Sequence, residues 1–131
     1  MEDKELISAA FQALENAHAP YSDYQVGVAL LCEDGTVYSG CNVENASYGL
    51  TNCAERTAVF SAISNGRKKF KAIAIASSKA PTPFPCGACR QVLAEFCGPE
   101  FEVYIAENGG YKTVTLGELL PHAFDFGETD A

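Results

Sequence analysis

Three cysteines in this sequence have the spacing of metal ligands. Cys86 and Cys89 form a C-x-x-C pair, Cys53 lies upstream, and a helix is predicted to begin at both places. Helix N-termini favour the thiolate form, because the partial positive charge of the first turn stabilises the anion. Three thiolates on one Zn²⁺ leave its fourth tetrahedral position open, which is typical of catalytic zinc, whereas structural zinc usually has four protein ligands.

A carboxylate stands beside the first of these cysteines. Glu55 lies two residues after Cys53 and could reach a water at the open position without binding the metal. Zinc acidifies such a water, and a carboxylate next to it can act as general acid and base. A structural alternative is that Asn52 is an N-cap and Glu55 its capping-box partner. The C-x-x-C pair alone could also be a redox pair, although the third cysteine and the preceding proline favour zinc.

Arg56 and Arg90 each follow one of the cysteine motifs. A zinc ion with three thiolates carries a net charge of about −1, which disfavours deprotonation of bound water. Hydrogen bonds from guanidinium groups to the sulfurs would offset that charge, although both arginines could instead lie on solvated helix faces. The remaining cysteines match no ligand motif and are expected to be buried free thiols: Cys32, Cys41 and Cys97.

Three motifs together indicate a family. Residues 42–45 (NVEN), 53–57 (CAERT) and 85–91 (PCGACRQ) strongly resemble the small homotetrameric zinc-dependent cytidine deaminases. A ligand-x-Glu followed by P-C-x-x-C is the general signature of zinc deaminases. The resemblance extends from the first predicted helix to residues 119–121, which is nearly the whole chain. It implies a five-stranded sheet sandwiched by helices.

The resemblance also implies a reaction. Cytidine and 2′-deoxycytidine would be hydrolysed to uridine and 2′-deoxyuridine with release of ammonia, a step of pyrimidine salvage. One Zn²⁺ per chain, held by Cys53, Cys86 and Cys89, would activate water for attack on C4 of the cytosine. Glu55 would take the proton of this water, deliver it to N3 and protonate the departing amine. A homotetramer is implied as well, in which neighbouring subunits complete each active site.

Asn42 and Glu44 match the residues that contact the ribose 3′-hydroxyl in this family. Their i, i+2 spacing places both on one face of a predicted strand, where an amide and a carboxylate could bind vicinal hydroxyls. From spacing alone, a polar solvent-facing edge is the alternative.

Other substrate contacts also follow from the resemblance. Tyr24 stands where the family usually has a phenylalanine that lines the pyrimidine pocket, and its hydroxyl needs a partner. The backbone of Ala54 is expected to contact the base. Tyr48 and Phe124 resemble residues that reach an active site from neighbouring subunits, although from sequence alone each could be an ordinary packed aromatic.

The chain has 131 residues and a formal net charge of −8, from 17 acidic and 9 basic side chains. This length suits a single domain over residues 1–131. The negative charge argues against nucleic acids and anionic membrane surfaces as partners. No apolar run reaches the roughly 18 residues of a membrane span, and the N-terminus has no signal-peptide pattern. We therefore expect a cytoplasmic protein, and the negative charge is compatible with the uncharged small-molecule nucleoside substrate that the resemblance implies.

Helical and strand patterns alternate along the chain, which favours a three-layer α/β/α sandwich with a mixed sheet. Asp3 is a candidate cap for the first helix, Asp34-Gly35 predicts a hairpin turn, and residues 127–131 are expected to be frayed. The predicted helices cover residues 3–17, 53–64, 87–96 and 116–120. The predicted strands cover residues 24–32, 36–44, 71–77, 101–106 and 111–115.

Three rival functions deserve comparison. A zinc deaminase of the blasticidin S type is the nearest, but Asn42-Val43-Glu44 favours ordinary nucleosides. A polynucleotide-editing deaminase would need a basic stripe, and the chain has only a short basic run at residues 67–71. A zinc-stabilised binding module would need a fourth ligand, and His18 and His122 are remote from the cysteine motifs in sequence.

Overall fold

The structure is a computed structural model that describes residues 1–125, so the expectation for residues 127–131 lies outside it. In chain order the helices are α1 (Asp3–Leu14), α2 (Ala54–Ser64), α3 (Gly87–Phe96) and α4 (Leu116–Leu119). The strands are β1 (Val26–Cys32), β2 (Val37–Cys41), β3 (Phe70–Ser77), β4 (Glu102–Glu107) and β5 (Gly110–Thr115). A 3-10 turn covers Tyr48–Leu50. In this part of the chain no helix is long and apolar enough to cross a bilayer.

The five strands form one mixed sheet with the order β2-β1-β3-β4-β5. Strands β3 and β4 are parallel and connected through α3, and every other neighbouring pair is antiparallel. The predicted hairpin between β1 and β2 is confirmed, and Gly35 at its turn has a φ of +92°, which favours glycine. The sheet prediction is therefore correct in strand number and type.

Helices cover both faces of the sheet, which confirms the α/β/α sandwich. Strand β3 shows why the layers form, because its side chains alternate in size. Small residues of β3 pack in the cluster that contains α1, whereas Ile73 and Ile75 pack in the cluster that contains α2 and α3. The small side chains are Ala72, Ala74 and Ala76. Every residue of β1 after Val26 is buried, as expected for a strand covered on both faces.

Two glycines let helices approach the sheet closely. A Cβ at Gly27 would lie 2.1 Å from the carbonyl oxygen of Ala10 in α1. A Cβ at Gly40 in β2 would lie 2.4 Å from the carbonyl oxygen of Ala54, at the start of α2. Glycine at these two positions therefore allows α1 and α2 to pack more closely on the sheet than any residue with a Cβ would.

The boundaries of α1 differ from the prediction. Its N-cap is Glu2 rather than Asp3, because Glu2 and Glu5 form a reciprocal capping box. The helix ends at Leu14 instead of continuing to residue 17. Asn16 and Ala17 donate to carbonyl groups three residues back, which is the hydrogen bonding of a tight final turn.

Strands β1 and β2 are shorter than predicted because the flanking residues bond elsewhere. The backbone N–H of Gln25 donates to the Ser78 hydroxyl, so regular pairing of β1 begins at Val26. Beyond Cys41, the chain makes isolated bridges from Val43 to His18 and Asn52. The prediction that residues 42 and 44 lie on a strand is therefore wrong.

Candidate active site

The three motif cysteines meet where two helices begin. Cys53 is the N-cap of α2, Cys86 is the N-cap of α3, and Cys89 lies in the first turn of α3. Their Sγ atoms all lie within 4.8 Å of one another. In residues 1–125, this is the one group of three or more His, Cys, Asp or Glu side chains placed to share a metal ion.

Hydrogen bonds favour a thiolate within this cluster. The thiol of Cys89 lowers the pKa of Cys53 to about 5, assisted by Arg56 and Cys86, whereas burial opposes the shift. The hydrogen bond to Cys53 and burial raise the pKa of Cys89. Cys86 accepts the backbone N–H of Cys89 at 3.4 Å. The cluster therefore favours a thiolate on Cys53 and a protonated thiol on Cys89 before any metal binds.

The cluster fits zinc in both donor chemistry and dimensions. Zinc prefers thiolates, and tetrahedral Zn–S bonds of about 2.3 Å place two sulfurs about 3.8 Å apart. The Sγ atoms of Cys53 and Cys86 are 3.7 Å apart, and those of Cys86 and Cys89 are 3.3 Å apart. Small adjustments of the side chains would bring all three to one ion. No fourth side chain completes the set in residues 1–125, as an open coordination position requires.

Glu55 lies in the first turn of α2, next to the cluster, and is 5% exposed. Burial raises the pKa of its carboxyl group to about 7, and the negative charge of Cys53 acts in the same direction. The backbone N–H of Glu55 and the charge of Arg56 oppose this rise. A carboxyl group with such a pKa can both take up and release a proton near neutral pH.

The capping-box alternative for Glu55 is wrong. The N-cap of α2 is Cys53, not Asn52. The side-chain amide of Asn52 instead donates to the hydroxyl of Thr57 at 3.2 Å. This helix start therefore does not use Glu55 as a capping-box partner, and its carboxyl group is not committed to that structural role.

The two arginines have different partners. Nη2 of Arg56 donates to the Sγ of Cys53 at 3.3 Å, as expected for a group that offsets thiolate charge. Arg90 differs from that expectation, because Nε donates to the Pro85 carbonyl at 2.8 Å and Nη1 to the Leu119 carbonyl at 2.7 Å. Arg90 therefore connects α3 to the backbone of the residue before Cys86 and to the last residue of α4.

A family comparison agrees with this geometry. Residues 1–105 match the family model described as the cytidine and deoxycytidylate deaminase zinc-binding region. The chain belongs to this family. The cysteine cluster of this deaminase domain suits one zinc ion per chain.

Individual relatives cover most of the chain. A cytidine deaminase from Halalkalibacterium halodurans is 56% identical over 126 residues, which are 95% of each protein. The crystal structure of cytidine deaminase from Burkholderia pseudomallei has a TM-score of 0.89 at 50% identity and covers 95% of this chain and 100% of that one. A blasticidin-S deaminase from Bacillus cereus is more distant, at 29% identity over 92% of this chain and 90% of its own.

Most of the expected substrate residues of this deaminase line one cavity. The cavity has a volume of about 410 Å³ and reaches Cys53, Cys86 and Glu55. Four of the expected substrate residues also border it: Tyr24, Asn42, Glu44 and Ala54. The reactive groups and the expected binding groups are therefore accessible from the same space.

Asn42 and Glu44 reach this cavity from irregular backbone and not from a strand face. The Asn42 amide donates to the Tyr24 carbonyl and accepts from the Val26 N–H, both at 2.8 Å. Glu44 accepts the N–H groups of Tyr21 and Ser22 and the Ser22 hydroxyl. These bonds hold both side chains in fixed positions at the cavity edge.

Tyr24 has a partner for its hydroxyl group. It donates to the carbonyl oxygen of Pro81 at 2.6 Å, across the cavity mouth. The ring of Tyr24 is half-buried and borders the cavity. The extra hydroxyl, relative to the phenylalanine usual at this position, is thus satisfied within the chain.

Tyr48 and Phe124 do not line the cavity within one chain. Tyr48 is 76% exposed and packs edge-to-face on Tyr21, with 6.1 Å between ring centroids. Phe124 is 69% exposed, and its carbonyl accepts a hydrogen bond from Gln91 Nε2 at 3.0 Å. Both aromatic rings therefore present surface that a neighbouring molecule could cover.

The sequence analysis missed one wall of the cavity. The cavity is also lined by four consecutive residues, Pro81, Thr82, Pro83 and Phe84. The prolines of this segment exclude a regular helix but do not by themselves indicate a cavity wall. A useful signal was available, because this segment runs directly into the Pro85-Cys86 motif and must lie beside the metal ligands.

Proposed function

We propose that this protein hydrolyses cytidine and 2′-deoxycytidine to uridine and 2′-deoxyuridine with release of ammonia. The observation that carries the proposal is the buried carboxyl group of Glu55 beside the Cys53, Cys86 and Cys89 cluster, at one cavity. A general acid/base and a metal site in contact with the same space are what hydrolytic deamination requires. The high identity to cytidine deaminases supports a cytosine nucleoside over blasticidin S.

Cys53, Cys86 and Cys89 would hold the zinc ion. Bound zinc supplies Lewis acidity, which makes a water molecule nucleophilic at neutral pH. Arg56 places positive charge against the sulfur of Cys53, and Arg90 holds the backbone that carries Cys86. The two arginines therefore support the metal site by different means.

Glu55 would move the protons of the reaction. It accepts a proton from the attacking water and delivers it to N3 of the cytosine. It then takes up the proton of the hydroxyl group now bonded to C4 and gives it to the amine that leaves C4, so that ammonia and the uracil ring are formed. The raised pKa of Glu55 suits both transfers, because neither protonation state is strongly favoured near neutral pH.

The other cavity residues would bind the nucleoside. Asn42 and Glu44 lie at one edge, where an amide and a carboxylate can contact the ribose hydroxyls. The Tyr24 ring and the backbone of Ala54 would contact the base. The fixed hydrogen bonds of Asn42 and Glu44 support this assignment, because preorganised polar groups bind without a large loss of side-chain entropy.

A homotetramer with shared active sites is part of the proposal. Several large apolar side chains are exposed on the single chain and would be covered by neighbouring subunits. They are Tyr21, Val43, Tyr48, Leu50, Phe84 and Phe124. In the assembly, Tyr48 and Phe124 would complete a neighbouring site.

The partner and location follow from charge and thiol chemistry. A net charge of −8 favours an uncharged nucleoside over a polynucleotide. The six cysteines are free thiols, which suits the reducing cytoplasm.

An absorbance and ammonia-release assay tests the function. The zinc-loaded protein is assayed with cytidine, 2′-deoxycytidine and blasticidin S, with metal content measured on the same sample. We expect both cytosine nucleosides to be deaminated far faster than blasticidin S. Preferential turnover of blasticidin S, or no turnover of any of the three by the zinc-loaded protein, would contradict the proposal.

A further inference from the structure

The segment from Pro81 to Phe84 forms a cavity wall with open space behind it. Pro81 and Thr82 border the 410 Å³ cavity on one side. On the other side, the same two residues border a groove of about 570 Å³ next to α1 and the end of β4. Pro81 is exposed and Thr82 is half-buried, so side-chain packing restrains this end of the wall less than it restrains the buried Pro83, and a hydrogen bond can add to the restraint.

Hydrogen bonds connect the residues just before β1 to the stretch of chain that leads into this segment and to the segment itself. The N–H of Ser78 donates to the carbonyl of Gln25 at 2.9 Å, and the N–H of Gln25 donates to the Ser78 hydroxyl at 3.1 Å. Further along the chain, the Tyr24 hydroxyl donates to the Pro81 carbonyl at 2.6 Å. This last bond is the one that reaches the wall itself.

A second connection is weak. Lys79 and Asp23 form an ion pair at 3.2 Å, with both side chains largely exposed. Exposed pairs of this kind contribute little, because water screens the charges. The tyrosine hydroxyl is therefore the stronger of the two restraints.

Both backbone polar groups of Tyr24 form hydrogen bonds with side chains. Its N–H donates to the Ser22 hydroxyl at 3.1 Å, and its carbonyl accepts from the Asn42 amide at 2.8 Å. Ser22 in turn donates to the carboxylate of Glu44. The proposed ribose-binding side of the cavity is thus joined to the opposite wall through this one tyrosine.

We propose that the Tyr24 hydroxyl is a positioning group, which holds the Pro81–Phe84 wall in place for substrate binding. The kinetic consequence rests on the proposed deaminase function, whereas the restraint on the wall does not. Loss of the hydroxyl should weaken nucleoside binding while turnover persists. Glu55 and the cysteine cluster lie on α2 and α3, which this hydrogen bond does not contact.

The test compares Tyr24→Phe with Tyr104→Phe in the full-length zinc-loaded protein. The Tyr104 hydroxyl also donates a hydrogen bond, in this case to the carboxylate of Glu102 at 3.0 Å, but Tyr104 packs on the α1 side of the sheet and does not line the cavity. For Tyr24→Phe we expect KM for cytidine to rise about fivefold, the effect of one lost hydrogen bond, with kcat within about twofold of wild type. Hydrogen–deuterium exchange should become faster at the backbone N–H of Phe84, which donates to the Thr82 carbonyl at 2.9 Å. Tyr104→Phe should leave KM and this exchange rate unchanged.

Three results would overturn the inference. The first is an unchanged KM together with unchanged exchange. The second is a raised KM with unchanged exchange, since the hydroxyl would then contact substrate directly. The third is a large loss of kcat at constant KM. If the wild-type protein does not deaminate cytidine, the proposed function fails, and the exchange rates of the Tyr24→Phe variant still decide whether the hydroxyl holds the wall.

Discussion

Nη2 of Arg56 lies 3.3 Å from the Sγ of Cys53, three residues earlier at the start of the same helix. The guanidinium group is therefore placed against the sulfur by its position in the first turn of α2. In residues 1–125, Nε of Arg56 is buried without a hydrogen-bond partner. A buried nitrogen without a partner is costly, and the positive charge of the same group lies beside the Cys53 sulfur.

Replacement of Arg56 tests this relationship. In Arg56→Gln, the cysteine cluster loses its adjacent positive charge but keeps a polar side chain of similar length. We expect zinc affinity or kcat/KM to fall about 10- to 100-fold, the usual cost of removing a group that supports metal ligands. Titration with a zinc chelator and steady-state kinetics measure the two effects. Arg67→Gln, which removes an exposed ion pair with Asp34, should change neither.

Replacement of Glu55 tests proton transfer. Glu55→Gln keeps the shape of the side chain but cannot exchange a proton, so kcat should fall by about 10²–10⁴. Zinc content, measured by atomic emission, should remain at one ion per chain. Glu95→Gln, at an exposed position of α3, is the matched control. Near-normal turnover by Glu55→Gln would exclude its assigned role.

Single cysteine substitutions separate ligands from spare thiols. Cys86→Ser should abolish stoichiometric zinc binding and activity, because two thiolates and a hydroxyl hold zinc far more weakly. Cys41→Ser changes a half-buried thiol outside the cluster and should retain one zinc per chain. Equal zinc content in the two variants would contradict the ligand assignment.

An exposed leucine provides a test of the shared site. Leu50 is 70% exposed in the 3-10 turn that also contains Tyr48. Sedimentation of the wild type should give four times the chain mass of 14.0 kDa. We expect Leu50→Glu to dissociate the assembly and to lower kcat/KM, because each cavity would lose residues of its neighbour. Phe11→Glu, on α1 in the opposite layer, should stay tetrameric; a fully active Leu50→Glu monomer would refute the shared site.

Glu44 gives a prediction for acid stability. A hydrogen bond from the Ser22 hydroxyl lowers the pKa of this carboxyl group below its ordinary value of 4.5. The backbone N–H groups of Tyr21 and Ser22 act in the same direction. A lowered folded-state pKa stabilises the fold above about pH 4.5, and this contribution is lost as the pH falls through the folded-state value. At pH 7, Glu44→Gln should unfold at a lower urea concentration than wild type. The difference should shrink at pH 4, whereas Glu95→Gln should match wild type at both values.

The chemistry-bearing residues were predictable because they are local in sequence. Cys53 with Glu55, and Cys86 with Cys89, each lie within one helical turn, so spacing alone brings them together. The sheet was also predictable, since the alternating Ala and Ile of β3 indicate a strand buried on both faces. Short-range patterns therefore predicted each half of the cysteine cluster and the layers, whereas the meeting of the two halves was expected from the family signature.

Long-range hydrogen bonds could not be predicted in the same way. Asn42 bonds to the backbone of Tyr24 and Val26, and these contacts end β2 earlier than its apolar pattern suggests. Arg90 reaches the carbonyl of Leu119, 29 positions away. The Tyr24 to Pro81 contact spans 57 positions. Each depends on tertiary distances that single-sequence patterns do not contain.

The meeting of two helix starts has a consequence for the lifetime of the protein. Cys53 and Cys86 are 33 residues apart in sequence, yet a single ion between them would close that length of chain into a ring. For a covalent closure of this size, the entropy removed from the unfolded chain is worth about 3–4 kcal/mol. Because the unfolded chain binds such an ion poorly, metal supply would set the melting temperature as well as turnover. Metal starvation would then expose the protein to proteolysis, so its abundance would follow the zinc status of its surroundings.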